Sequence, residues 1–162
     1  VLVVLGLVAS PVFAADLKIG VVDLQKALNL SAAGQEAKEK IKVKFSSMDA
    51  EVKSLEAELV KLKEDLEKQA MALSEKARAE KEREYQQKVK DYQRYKKDAQ
   101  EELQREDTEF TRLIIEGLLK TVQTLGEKQN YTVILEKTES AVIYSDKTVD
   151  LTDPLIKAFN AK

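Results

Sequence analysis

Between Lys76 and Lys97 the chain crowds together Lys76, Arg78, Lys81, Arg83, Lys88, Lys90, Arg94, Lys96 and Lys97, with Tyr85, Tyr92 and Tyr95 interleaved. These cations outnumber the local acids. Just beyond them Asp98, Glu101, Glu102, Glu106, Asp107 and Glu109 are opposed mainly by Arg105. The chemistry such a pattern supports is electrostatic contact. A basic residue near an anionic headgroup gains about 1 kcal/mol, and added salt screens the gain. Lys81, Arg83, Lys88, Lys90, Arg94, Tyr95, Lys96 and Lys97 are therefore the candidates for contact with an acidic partner or an anionic lipid surface. The competing reading is a solvated helix face carrying ion pairs such as Glu84 with Lys88, worth roughly 0.2–0.5 kcal/mol each.

Covalent chemistry is poorly served. His and Cys are both absent, which removes the usual general base, the commonest metal ligand, thiolate sites and disulfides. No GxGxxG, phosphate-binding loop or GxSxG occurs, and the many carboxylates form no convincing catalytic pair. The expectation is a non-enzyme with no catalytic residue, metal or cofactor. A net charge of −2 gives no global field toward nucleic acid, and no nucleic-acid partner is expected.

The elements that must carry these charges are long helices. Charged residues make up 35% of the chain and aromatics 6%, a mix that suits helices burying a narrow stripe. Ile41, Phe45, Met48, Val52, Leu55, Leu59, Leu62 and Leu66 step by alternating fours and threes, as in a coiled-coil seam. Tyr85, Val89, Tyr92, Lys96, Ala99, Leu103, Glu106, Phe110 and Leu113 repeat the steps, with Lys96 and Glu106 as polar interruptions. Pairing Ile41 with Leu113, Phe45 with Phe110, Val52 with Leu103, Leu62 with Tyr92 and Leu66 with Val89 keeps the total of the two position numbers nearly constant. This predicts an antiparallel hairpin folding back near Ala77, with arms on the order of 60 Å long at 1.5 Å per residue. Tyr85 and Tyr92 fall on the seam, whereas Tyr95 lies off it.

Both ends of the chain read differently. Val1–Val8 is apolar and is followed by Ser10, Pro11 and Val12-Phe13-Ala14-Ala15, the pattern of a secretory signal truncated at its start, with cleavage after Ala14. That run is too short to span a bilayer. Leu17–Asp23 reads as a strand, Leu24–Leu28 as a helical turn, and Ser31 as an N-cap. Gly126 and Asn130 are expected to end the second long helix. Tyr131–Leu135 and Ala141–Tyr144 read as a strand hairpin, and Pro154 opens a short helix, Leu155–Phe159, capped by Thr152 or Asp153. The hairpin returns the chain to its origin, so the terminal strands must meet in a small sheet. In a single chain its edges would lie bare, which argues for an oligomer without fixing its number.

Lys18-Ile19-Gly20-Val21-Val22-Asp23, the charged hairpin, Val133-Ile134-Leu135, Ala141-Val142-Ile143-Tyr144 and Asp150-Leu151-Thr152 together resemble the Skp (OmpH-like) family over essentially the whole mature chain. The hairpin is generic; the strand before it and the Tyr-ending strand and Asp-Leu-Thr segment after it are more specific. The resemblance implies an α+β, mostly α fold, in which helical tentacles project from a β body that closes into a barrel-like core shared by a homotrimer. On this reading 1–14 is the signal, 15–30 and 126–162 the body, and 31–125 the arm, with its tip near 74–80. Ile19, Val21, Val22, Val133, Leu135, Val142, Tyr144 and Leu151 are the expected oligomer contacts. The implied function is ATP-independent holding of unfolded outer-membrane proteins in the periplasm, with lipopolysaccharide or an anionic membrane as a further partner. Without a nucleotide site, holding must rest on many weak contacts made at once. The alternative is a structural coiled-coil spacer of the cell envelope that binds one folded partner.

Overall fold

The computed structural model describes residues 17–69, 73–140 and 142–161. The signal segment expected at 1–14 and the residue Ala141 lie outside the described residues. The elements run in the order β1 (Ile19–Val22), α1 (Leu24–Leu30), α2 (Ala32–Gln69), α3 (Glu75–Lys128), β2 (Val133–Glu136), a 3₁₀ turn (Lys147–Val149) and α4 (Thr152–Asn160).

The two strands pair in parallel, Ile19 with Val133 through Val22 with Glu136. Parallel neighbours need a long crossover, and here the crossover is the whole helical arm. The expected meeting of the chain's ends is therefore present, but the strand hairpin is not. Val142–Tyr144 form no strand. After β2 the chain curls instead of reversing tightly: the Ser140 N–H donates to the Glu136 carbonyl at 3.2 Å. The Glu136 carboxylate accepts from the Glu139 N–H at 2.5 Å. The other side of β1 is taken by Asp150, which bridges to Val21 in parallel, and the Leu151 N–H donates to the Val21 carbonyl at 2.8 Å.

Local chemistry sets most helix ends. Asp23 caps α1 by accepting from the Lys26 N–H at 2.7 Å. The buried Ser31 separates α1 from α2; its Oγ accepts from the Gly34 N–H and donates to the Leu28 carbonyl, both at 3.1 Å. Gly126 does not end α3 but lies inside it. The left-handed residue is Asn130, with φ 55°. The Tyr131 N–H then reaches the Gly126 carbonyl at 3.0 Å and the Asn130 N–H the Glu127 carbonyl at 3.4 Å, the pair of bonds that closes a Schellman end. At the start of α4, Leu151 stands at the cap position and offers no side-chain bond. Thr152 instead accepts from the Asp23 N–H through its Oγ1 at 2.9 Å.

The core lies where the roots of the arm meet the sheet. Val22, Ala27, Ile114, Leu118, Leu125, Leu151 and Leu155 form it. α2, by contrast, buries no residue fully along its length, and the outer part of α3 buries only Ala99. Two helices without a third can cover only a stripe of each other.

The seam and the fold-back both depart from the heptad reading. α2 ends at Gln69 and Ser74 caps α3 by accepting from the Ala77 N–H at 3.3 Å, so the turn precedes Ser74, and Ala77 lies in the first turn of α3. Phe45 and Leu113, both expected in the seam, are 56% and 50% exposed. Lys44 and Ile114 turn inward in their place, and Tyr95 is half-buried where Lys96 was expected. The departures are local: on α2 only Lys44 replaces Phe45 while Ile41 and Met48 through Leu66 keep their places, and the facing register lies about one heptad from the expected one. Phe45 and Phe110 accordingly line separate hollows, Phe45 with Ala99 and Leu103 and Phe110 with Ile41 and Ile114. The remaining seam residues Ile41, Met48, Val52, Leu55, Leu59, Leu62, Leu66, Val89, Tyr92, Leu103 and Phe110 are all half-buried.

Gly34 marks the closest approach at the arm's root, since a Cβ there would lie 1.7 Å from the Leu28 carbonyl oxygen. Gly34→Ala is expected to lower stability by about 1–3 kcal/mol through this clash, read as a fall in the thermal midpoint of helical circular dichroism. Gly126→Ala, whose Cβ would meet only the Ile134 side chain at 3.3 Å, is expected to be near neutral, because alanine's helix propensity offsets the crowding.

Candidate functional site

Two surfaces combine apolar or charged groups with exposure, one on the body and one along the arm. In the body, β2 alternates: Ile134 packs against the core while Val133 and Leu135 are exposed, and Ile19 beside them is exposed as well. Ile143 is 100% exposed and Tyr144 82%. Leu113 and Leu119 add exposed apolar positions on the root half of α3. The expected oligomer contacts therefore divide. Val21, Val22 and Leu151 are buried inside the single chain and are unavailable to a second copy. Ile19, Val133, Leu135 and Tyr144 are available, and Val142 is half-buried.

Along the arm the ionic contacts cross from helix to helix on one flank. Lys44 Nζ lies 2.5 Å from Glu102 and also contacts Glu106, and Lys88 lies 3.1 Å from Glu58. The two pairs occupy equivalent heptad positions, so they share a flank. Glu106, expected to lean out into water, is thus drawn to a cation from α2. The acidic section is further answered by Arg112, which bonds Glu109 at 2.6 Å and Glu116 at 2.7 Å. The opposite flank carries an apolar hollow lined by Phe45, Met48, Val52, Ala99 and Leu103, with Asp49, Lys96 and Gln100 at its rim.

The candidate tip cations do not act as one free patch. Arg94 is held by Asp91 at 2.9 Å, Lys97 approaches Glu101 at 3.6 Å, and Lys88 is engaged by Glu58. Lys81 is half-buried, whereas Arg83, Lys90 and Lys96 are exposed, with no ion pair among the described residues. Tyr95, expected off the seam, is half-buried, which limits it as a contact residue. Sequence reasoning missed Phe45 as a surface residue.

The family model for Outer membrane protein (OmpH-like) matches residues 18–159. The chain belongs to the OmpH-like family. No curated protein matches it. A crystal structure from Caulobacter crescentus CB15, of an OmpH-like protein proposed to be an outer membrane chaperone, superposes with a TM-score of 0.84 at 19% identity, covering 91% of this chain and 86% of that one. The shared fold in this OmpH-like chain is thus the arm and the body together. Among the described residues no helix is long and apolar enough to cross a membrane.

The Lys44 contact makes a pH test of the arm possible. Its ammonium holds the Glu102 carboxyl below the usual carboxylate range, with Arg105 adding a smaller pull. A carboxyl depressed in the folded state contributes stability that is complete above its ordinary pKa of 4.5 and is lost as acid protonates it. Amide protection around Lys44 and Glu102, with the intrinsic pH dependence of exchange divided out, is therefore expected to fall as the pH drops below 4.5. In Lys44→Met this acid step should be missing; an equal step in the variant would show that another group sets it.

Proposed function

We propose that this chain is a holding chaperone of the periplasm, working as a homotrimer whose arms enclose unfolded outer-membrane β-barrel proteins and keep them from aggregating. One observation carries the reading. A body with a folded core presents Ile19, Val133, Leu135, Ile143 and Tyr144 to solvent, beside arms in which α2 is nowhere fully buried. Exposed apolar surface concentrated in one region marks an interaction site. On the body it suits self-association, because closing the β2 edges of several copies together removes exposed strand. Membership of the OmpH-like family and the fold shared with the Caulobacter protein support the chaperone role, and the family's pattern supports three subunits.

On the arms the reading is avidity. Each contact offered is weak, a half-exposed apolar side chain or a single cation, and many contacts in one enclosure bind together far more tightly than any alone. A chaperone that binds the unfolded client and not the folded one draws on that difference without nucleotide. Arg83, Lys90 and Lys96 are the unpaired cations that suit acidic clients or anionic lipid.

The chain is expected to sediment as a trimer, and Val133→Glu with Leu135→Glu to sediment as a monomer with its helix content intact. When a urea-denatured outer-membrane protein is diluted without ATP, the trimer is expected to suppress light scattering and the monomeric variant to fail. Scattering unchanged by the wild type would favour a structural spacer. Binding to vesicles of anionic lipid should weaken as salt rises from 50 to about 500 mM, as the screening length shortens; binding that ignores salt would remove the cations from the account.

A further inference from the structure

The hollow on the unpaired flank of the arm is a place where apolar side chains from both helices stand open together. Phe45, Met48 and Val52 come from α2, and Ala99 and Leu103 from α3. The hollow has a volume of about 290 Å³, at the small end of pockets that take ligands. That is room for one or two side chains, not for a helix. Phe45 is more than half exposed at its edge, and Met48, unbranched and polarizable, can refit around different occupants.

The rim fixes the sign of the occupant's charge. Asp49 is already neutralised by Lys53 at 2.7 Å. Lys96 is exposed and has no ion-pair partner among the described residues, so the uncompensated charge at the hollow is positive. A second copy of the chain is a poor fit. A stable contact between folded surfaces covers on the order of 800 Å² per partner, whereas this hollow is bounded by charged helix surface. An unfolded segment needs only one side chain to enter.

We propose that this hollow is a client subsite, taking one apolar side chain of an extended segment whose neighbouring carboxylate reaches Lys96. The inference rests on the holding-chaperone reading and gives that activity a definite preference, for apolar residues flanked by acid over the same residues flanked by base. It also gives a role to the exposed Phe45, beside which Lys44 takes the inward place.

The test uses the full chain as the wild type, as Phe45→Ser and as Lys96→Glu, with two fluorescein-labelled ten-residue peptides that differ only in having Asp or Lys beside a central Phe. Both substituted residues are exposed, so helix content should be unchanged. By fluorescence anisotropy the wild type is expected to bind the Asp peptide more tightly. Lys96→Glu should reverse the preference, and Phe45→Ser should weaken both peptides about tenfold, the loss expected for part of one buried aromatic side chain. As a readout independent of folding, p-benzoylphenylalanine in place of Phe45 should photo-cross-link to the Asp peptide. Cross-linking to another copy of the chain instead would overturn the proposal, as would variants that bind both peptides like the wild type. Light scattering with denatured outer-membrane protein, run in parallel, separates the two readings. Suppression by the wild type with peptide affinities unchanged by substitution would sink the subsite alone. A wild type that neither suppresses scattering nor binds either peptide would sink both. Peptide binding with the expected charge preference but no suppression would uphold the site and overturn the holding role.

Discussion

The parallel pairing of Ile19–Val22 with Val133–Glu136 is the constraint on which the rest of the molecule depends. It joins two segments separated by the entire arm, and neighbouring contacts reinforce it at both roots. Lys18 donates to the Gln129 carbonyl at 2.7 Å, where α3 ends, and its ammonium lies 4.1 Å from the centre of the Tyr131 ring. Asn160 of α4 accepts from the Ala32 N–H at 2.9 Å, where α2 begins. The start of α2 and the end of α3 are thereby tied to one small body. Among the described residues, nothing beyond that body covers the hairpin but itself. Local opening is easiest where buried contacts are fewest, so the arm is firm at Leu118 and Leu125 and progressively looser outward.

How much of this was legible in the sequence follows from what each signal depends on. The strand before the arm, the cap at Ser31 and the two long helices rest on local chemistry, which the residue types display directly. The seam rests on a period, and a step of three or four is met equally by adjacent residues, so Lys44, Tyr95 and Ile114 stand where Phe45, Lys96 and Leu113 are expected. A constant total of paired positions is likewise met by registers one heptad apart, and the observed placing of Phe45 beside Leu103 puts the turn before Ser74 instead of at Ala77. The strand expected at Val142–Tyr144 was read from β-branched and aromatic composition. Such propensity describes a side chain that fits a half-covered sheet, and the curl after Glu136 carries these residues away from any strand in the same chain.

The candidate site was legible in its charges and hidden in its geometry. Lysines and glutamates are visible in any listing of the residues, but which of them are spent on each other depends on the register between helices. Lys88 and Glu58 are distant in sequence and paired in space; Lys44 spans to Glu102 and Glu106 in the same way. What appeared as a basic patch above an acidic band is, in part, a set of stitches across the hairpin. The cations left over among the described residues, Lys76, Arg78, Lys81, Arg83, Lys90 and Lys96, are fewer and more widely spaced than the composition suggests.

The two flanks of the arm therefore do different work. On one, exposed ion pairs link the helices, each worth at most about 1 kcal/mol in isolation. They resist separation of the helices and offer little to an apolar partner. On the other, Phe45 and the floor beneath it are incompletely covered. A seam sealed on both flanks would make a stiffer arm with nothing apolar to present, and a seam open on both would not hold two helices together. Weak multivalent holding requires the intermediate condition, in which apolar groups remain half-covered and the helices stay paired. An arm in which Lys44 takes the inward place beside an exposed Phe45 meets that condition.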